Sequence, residues 1–390
     1  MNLIIVPFHD WRKIKKEGFR TRDAHFIESL QQSNRIEKII IINRPTTLLE
    51  IVLKKKKRKI EGRSIFNRNG FQLIEVNPTT YIVDYISKDI YGQIMRKFLW
   101  FIDEFSNDKY IDFINECIGK LQICTYNLLS QNVFAHKLIS KLNPQKSVFD
   151  AWDNFCLIDD YFSIKKQIKQ GYVSYSQNVD LWITNSRDNI DYFSKEFNLS
   201  EIILIKNGLD VNRFNLNANY RIPKDINNIQ KPIVGFGGKI TQTINIELLN
   251  YAILNNPEVS FVLIGQILDD EIFESIVKLN NVHYLGDKFY DEYPNYVNAF
   301  DICLVPYYIE ENKKSGTNPI KVYEYLALNK KVIGTNGNGL EDLEGYLYLI
   351  HNKKELSNEI KRGIKNEKPK MDFNKNSWQT KTNEFLNLLQ

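Results

Sequence analysis

Lys313-Lys314-Ser315-Gly316-Thr317-Asn318-Pro319-Ile320-Lys321-Val322-Tyr323-Glu324-Tyr325-Leu326-Ala327-Leu328-Asn329-Lys330-Lys331-Val332-Ile333-Gly334 reads as a polar loop, a helix and a strand. Asn318 is the expected cap and Pro319 the expected first helical residue, where a missing N–H costs nothing. Ile320, Tyr323, Leu326 and Ala327 recur at helical spacing and predict a buried stripe. Lys321 and Glu324 stand three apart on a neighbouring face, so both can point into one cleft. A helix entered this way offers N–H groups and a positive dipole end to an anion. Glu324 lies about 7–8 Å further along the axis, suited to a ribose whose diphosphate sits at the helix start. The plain alternative is an amphipathic helix with a solvated Lys–Glu pair, so the rest of the chain has to decide.

Working outward, the C-terminal part alternates strands and helices. Pro232-Ile233-Val234, Ser260 to Ile264, Val282 to Leu285, Ile302 to Pro306, Lys331 to Gly334 and Tyr348 to Ile350 predict strands. Helices are expected near Glu247–Leu254, Asp270–Leu279, Tyr293–Ala299 and Asn376–Leu389. Gly235-Phe236-Gly237-Gly238-Lys239 follows the first of these strands directly. Its glycines permit close backbone approach to a ligand, and Lys239 can neutralise a phosphate. It is neither a dinucleotide fingerprint, since Ile240 stands at the third glycine position, nor a P-loop.

The N-terminal part alternates too. Leu3–Pro7, Ile36–Asn43, Ile74–Val76, Leu121–Tyr126, Ser147–Asp150, Leu181–Thr184 and Ile202–Ile205 read as strands. Helices are expected over Thr21–Ser33, Lys88–Phe105 and Phe134–Leu142, and from Ser186. His9, Asp10, Arg20, Arg22, Asp23 and His25 follow the first strand, and Asp153 follows Ser147–Asp150, all at strand ends where open α/β sheets bind ligands. The polar, aperiodic stretch 213–231 reads as a linker. The expected organisation is therefore α/β with two doubly wound, Rossmann-like domains facing each other across a cleft. Their bounds are residues 1–212, then the linker, then residues 232–373, with the helix of residues 374–390 closing the chain.

Composition narrows the class. The 390 residues exceed one ordinary core, and 43% hydrophobic with 25% charged residues is ordinary for a globular chain. A net charge of +5 is too modest to argue for nucleic acid. The four cysteines stand singly, so neither a disulfide framework nor a zinc site is expected, and the reducing cytoplasm is the expected compartment. No apolar run approaches a membrane span. Lys54-Lys55-Lys56-Lys57-Arg58-Lys59, flanked by Leu48, Leu49, Ile51, Val52 and Leu53, is either a solvated loop or a peripheral contact with an anionic membrane.

Taken with Gly235–Lys239, Val282-His283-Tyr284-Leu285-Gly286, Tyr293–Tyr296 and Asp301–Tyr307, the Asn318–Ala327 stretch resembles the donor domain of retaining GT-B glycosyltransferases of family 4. The likeness is strongest to those building cell-surface polysaccharides such as teichuronic acid. Asp180–Ser186 and Asn207-Gly208-Leu209-Asp210 resemble the family's passage between domains. The resemblance implies a metal-independent transfer of a glycosyl group from a UDP- or GDP-linked sugar to a hydroxyl of a glycan or lipid-linked acceptor, with no further cofactor. It assigns Glu324 to the nucleotide ribose, and Gly237, Gly238 and Lys239 to the diphosphate. Asn318, Pro319, Ile320 and Lys321 would meet the phosphates or sugar, and Tyr284 and Leu285 would frame the base. The last helix, with Trp378, would cross back onto the first domain, and the protein would work in the cytoplasm or at the inner membrane face. One departure stands out: the family usually has a second carboxylate eight residues before Glu324, and Gly316 is there instead. Ser315, Thr317 or Asn318 is the candidate substitute. An inverting reaction would need a base, for which Asp153, His9, Asp10 and His25 are the candidates. The remaining alternatives are a sugar-nucleotide epimerase and a degenerate partner subunit without turnover.

Overall fold

The computed structural model describes residues 1–308 and 318–390. Gly316, Ser315 and Thr317 lie outside the described residues. The chain divides into two units, Met1–Lys206 with Thr382–Gln390, and Asn207–Lys381. Each is a Rossmann-like α/β unit.

In the first unit, the strands are β1 (Asn2–Val6), β2 (Lys38–Ile42), β3 (Thr46–Thr47), β4 (Arg63–Arg68), β5 (Phe71–Asn77), β6 (Thr80–Ser87), β7 (Asn127–Ser130), β8 (Ser147–Asp150), β9 (Leu181–Thr184) and β10 (Ile203–Leu204). Their order is β10-β9-β8-β7-β1-β2-β6-β5-β4, with β3 beside β6. β10 through β6 pair in parallel, whereas β4, β5 and β6 are antiparallel neighbours. The central strands are buried on both faces, which is why Leu3-Ile4-Ile5-Val6 and Ile39–Ile42 are continuous apolar runs. Residues Thr382–Gln390 belong here: Phe385 meets Phe26 edge-on, and Arg35 donates to Asn387 Oδ1 and to the Leu386 carbonyl, both at 2.9 Å.

In the second unit, β11 (Ile233–Gly237), β12 (Ser260–Ile264), β13 (Val282–Tyr284), β14 (Ile302–Val305), β15 (Lys331–Thr335) and β16 (Tyr348–Ile350) form one parallel sheet. The order β13-β12-β11-β14-β15-β16 reverses direction between β11 and β14. A reversal of this kind opens a crevice at the carboxyl ends of the strands. The stretch 213–231, expected as a linker, is part of this unit. Phe214 and Ile226 are buried in its core, and Tyr296 donates to Asp225 at 3.0 Å.

Several expected elements move. Lys88–Phe105 is two helices, Ile90–Arg96 and Phe98–Phe105, because Lys97 turns the chain at φ 48°. Leu121–Tyr126 is a loop rather than a strand, with Leu121, Ile123 and Tyr126 buried. Its apolar side chains pack on the core after a turn at Gln122, and pairing starts at Asn127. The loop expected after the first strand contains the helix Trp11–Glu17, capped by Asp10. The basic run is also not uniform. Lys56 turns inward to Asp10 (2.8 Å) and Glu50 (3.1 Å), while Lys54, Lys55, Lys57 and Lys59 are exposed.

Around that helix lies a buried polar network. Arg12 donates to both oxygens of Asp84, at 2.9 and 2.6 Å, and Asn43 donates to Asp10 and Asp84. All four are almost fully buried. Burial pushes the Asp10 carboxyl up, but Lys56, Arg44 and Arg12 outweigh it and hold it below the usual carboxylate range. Removing one partner leaves an uncompensated buried charge, so Asp84→Ala is expected to cost about 3–5 kcal/mol, read as a lower urea midpoint. Burial also lowers His136 from its ordinary 6.5 to about 4. The unfolded chain thus takes up a proton below 6.5 that the folded chain refuses until about 4. Stability falls as pH drops through that window, and His136→Gln should lessen the fall in urea titrations.

Candidate functional site

The crevice of the second unit is built on β11 and the helix Ile320–Ala327. The chain leaves β11 through Gly237 and Gly238, and both glycines are required by their neighbours. A Cβ on Gly237 would stand 1.8 Å from the Tyr293 hydroxyl, and its N–H already donates to Tyr325 Oη at 2.8 Å. Gly237, expected to meet the ligand, therefore supports the turn from behind. Gly238 sits at φ 150°, where a Cβ would lie 2.0 Å from Lys321 Nζ. Its carbonyl in turn approaches so near that Gly265 has no room for a side chain.

The helix begins differently from expectation. Pro319, not Asn318, is the residue before the first helical one, and no side chain caps the helix. Asn318 is instead a buried staple: its Oδ1 accepts from the Asn207 N–H at 2.8 Å and from Tyr323 Oη at 3.1 Å, and its carbonyl accepts from Asn207 Nδ2. Asn318 Nδ2 finds no acceptor among the described residues. Ile320 is the first helical residue, so its N–H and the next ones open the helix without a capping side chain.

Two lysine residues adjoin Gly238. Lys321 Nζ lies over the Phe236 ring at 4.3 Å and over Tyr307 at 5.3 Å, stacked against Gly238. Lys239 is the next residue along, and both lysines are half-buried. Neither forms an ion pair with a carboxylate among the described residues. Glu324 is buried on the same helix and accepts a 2.6 Å hydrogen bond from Tyr290 Oη. Burial, then the Glu324 charge, raises the Tyr290 phenol well above its usual range, so it stays a donor. Tyr293 donates to Tyr325 at 3.3 Å, and burial raises both phenols as well. The sequence reading named Glu324 but missed Tyr290, Tyr293 and Tyr325, which position it and the β11 turn. The signal available was polar tips at helix spacing in an otherwise apolar stripe.

At the edge of β12, Tyr284 donates to the Gly265 carbonyl at 2.7 Å and lies against Phe273. The Leu285 N–H donates to Leu263 O, so strand pairing occupies that backbone donor. Gly237, Gly238, Lys239, Lys321 and Glu324 are thus gathered around the end of β11, with Tyr284 and Leu285 at the end of β13, two strands away.

Asp153 belongs to the first unit, in the loop after β8, where its carbonyl accepts from Tyr172 Oη at 3.0 Å. Among the other base candidates, Asp10 is enclosed by cations and caps a helix, which disqualifies it as a base. His25 is buried within the helix Arg22–Gln31. His9 Nδ1 lies 3.1 and 3.0 Å from the two oxygens of Asp23, with Trp152 across the ring. Burial raises the Asp23 carboxyl, but His9 and then Thr21 hold it well below its usual range. Arg22 pairs instead with Asp150 at 2.9 Å, so it braces the sheet edge.

Residues 231–366 match the family model described as Glycosyl transferases group 1. A putative teichuronic acid biosynthesis glycosyltransferase, TuaH of Bacillus subtilis (strain 168), is 27% identical over 184 residues, 44% of each chain. The match therefore spans less than half of that relative's length. Among solved structures, Anabaena Alr3699/HepE in complex with UDP and glucose superposes with a TM-score of 0.63 at 15% identity, covering 100% of this chain and 99% of that one. TarM gives 0.60 at 12%, covering 100% and 98%. These likenesses show a GT-B fold, and residues 231–366 are similar to the group 1 glycosyl transferase domain. Tyr290→Phe removes the donor that Glu324 accepts from, and should cost about 1–3 kcal/mol, seen as a lower melting temperature of the second unit.

Proposed function

We propose that this chain is a glycosyltransferase that moves a sugar from a UDP- or GDP-linked donor to a hydroxyl of a glycan or lipid-linked acceptor in bacterial surface-polysaccharide assembly. The observation supporting this most is the pair Lys239 and Lys321 beside an uncapped helix start, on the segment that matches the family model. A diphosphate placed there meets two ammonium groups and free helix N–H groups without needing a divalent ion. The similar structure of HepE, solved in complex with UDP and glucose, supports uridine as the base.

In this reading the bond between the anomeric carbon and the diphosphate oxygen breaks, and its electron pair stays on the phosphate. Lys239, Lys321 and the helix start stabilise that developing charge. The acceptor oxygen bonds the same face of the anomeric carbon, and its proton passes to the departing phosphate oxygen, giving retention. Glu324 accepts the ribose hydroxyls, with Tyr290 fixing the carboxylate. Tyr284 and Leu285 border the base. The work is done in the cytoplasm, with peripheral contact at the inner membrane face.

Inversion is the second reading, and the His9–Asp23 pair favours it. A carboxylate on Nδ1 orients the imidazole and makes its other nitrogen more basic, as a base for an acceptor hydroxyl requires. Asp153 is the other carboxylate kept for that role.

Glu324→Ala should weaken nucleotide diphosphate binding about tenfold or more, and Lys239→Ala should lower kcat more than it raises KM, by roughly 10²-fold. Calorimetry with UDP and GDP, followed by transfer assays, reads both. Full transfer activity in both variants would reject the donor site. The anomeric configuration of the product separates retention from inversion, and nucleotide binding with neither transfer nor donor hydrolysis would mark a partner subunit.

A further inference from the structure

We propose that the helices Leu48–Leu53 and Ile90–Arg96 of the first unit form one face that seats on an anionic lipid bilayer, its apolar side chains entering the acyl boundary between lysines. This deepens the membrane contact proposed above and rests on that reading only for why a membrane is at hand.

Ile90–Arg96 is an unusual surface helix. Within its seven residues, Ile90, Tyr91, Ile94 and Met95 are all exposed, Tyr91 by 75% and Met95 by 63%. At 3.6 residues per turn these four span an arc of about 140°, a single apolar face. Gln93 projects from another side of the helix and ties it to its neighbour: its Nε2 donates to Glu50 Oε2 at 2.7 Å, and its Oε1 accepts from Thr47 Oγ1. That neighbouring helix ends in Val52 and Leu53, each 71% exposed. Two short helices, cross-linked by one glutamine, thus both present apolar residues to solvent.

Charge decides the occupant. Lys55 and Lys97 adjoin the two helices and Lys59 follows Leu53 by six residues; all three are exposed and form no ion pair among the described residues, while Lys57 pairs with exposed Glu61. The acidic groups on the same helices and their borders each have a cationic partner, though two of them share one. Asp89 and Asp103 both pair with Arg96, and Glu50 is enclosed by Arg44, Lys54 and Lys56. The face therefore offers apolar residues within a positive margin, the combination that binds at a headgroup layer. Lys56, though central in the basic run, takes no part, because it is consumed inside by Asp10 and Glu50.

The test is sedimentation of the full chain with vesicles of phosphatidylcholine, with and without phosphatidylglycerol. The chain should pellet with the anionic vesicles and not with the neutral ones. Ile94→Glu should weaken the partition about tenfold or more, and Lys55→Gln and Lys59→Gln about fivefold each. Ile94→Trp should show blue-shifted emission on anionic vesicles. All are substitutions of exposed residues, so folding is retained and checked by unchanged melting. A chain that stays in the supernatant with anionic vesicles, or an Ile94→Glu variant that pellets like the parent, overturns the proposal. So does a dimer in ultracentrifugation that Ile94→Glu dissolves, which would give the face to a second copy. Transfer to a soluble acceptor, assayed without vesicles, stands or falls separately: intact transfer with no vesicle binding removes this face alone.

Discussion

The Tyr325 hydroxyl, shut in behind the end of β11, fixes the geometry on which the candidate site depends. It accepts the Gly237 N–H and the Tyr293 hydroxyl, and it returns a bond to the Gly237 carbonyl. A buried backbone amide must find a partner, and here a side chain from the helix Ile320–Ala327 supplies it. Strand end and helix are thereby pinned to each other. Because Tyr325 follows Glu324 and lies one turn after Lys321, the same contact sets where the carboxylate and the ammonium group stand relative to Gly238.

The two ends of that helix face obey different rules. Glu324 is buried and must be satisfied, and Tyr290 donates to it with a phenol that burial keeps protonated. Lys321 remains half-buried against the rings of Phe236 and Tyr307, which stabilise a cation without neutralising it. An aromatic cradle holds the ammonium group in place without cancelling its charge. A carboxylate in the same position would have held it more firmly and cancelled it. The first unit shows that contrast directly: Arg12 and Lys56 are closed off by Asp84, Asp10 and Glu50, and they serve the fold.

This contrast also marks how much was readable from residues alone. Strands buried on both faces were legible because the sequence there is a continuous apolar run bounded by polar turns; Ser147–Asp150 and Ser260–Ile264 fall where they were expected. The helix after Pro319 and the strand that follows it were legible too, apart from the cap. Asn318 has the right chemistry to cap, but Asn207, distant in sequence, claims its oxygen, and local propensity cannot foresee a long-range competitor. The antiparallel extension β4–β6 was only partly visible, since β4 is largely exposed and rich in polar residues. Within the basic run, six consecutive cations look alike on paper. Which one turns inward depends on Asp10 and Glu50, which only the fold brings near.

The glycines illustrate the same limit at higher resolution. A Gly-rich turn after a strand suggests room for a ligand, yet three different constraints operate within four residues. Gly235 makes room for the Phe300 ring, Gly237 for the Tyr293 hydroxyl, and only Gly238 borders the cation Lys321. Packing explains the first two fully, so their presence says nothing of a ligand. Gly238 differs because the atom filling its missing Cβ space is a charged ammonium group with no carboxylate partner among the described residues. The functional signal in such a turn is therefore not the number of glycines, but what occupies the volume each one leaves.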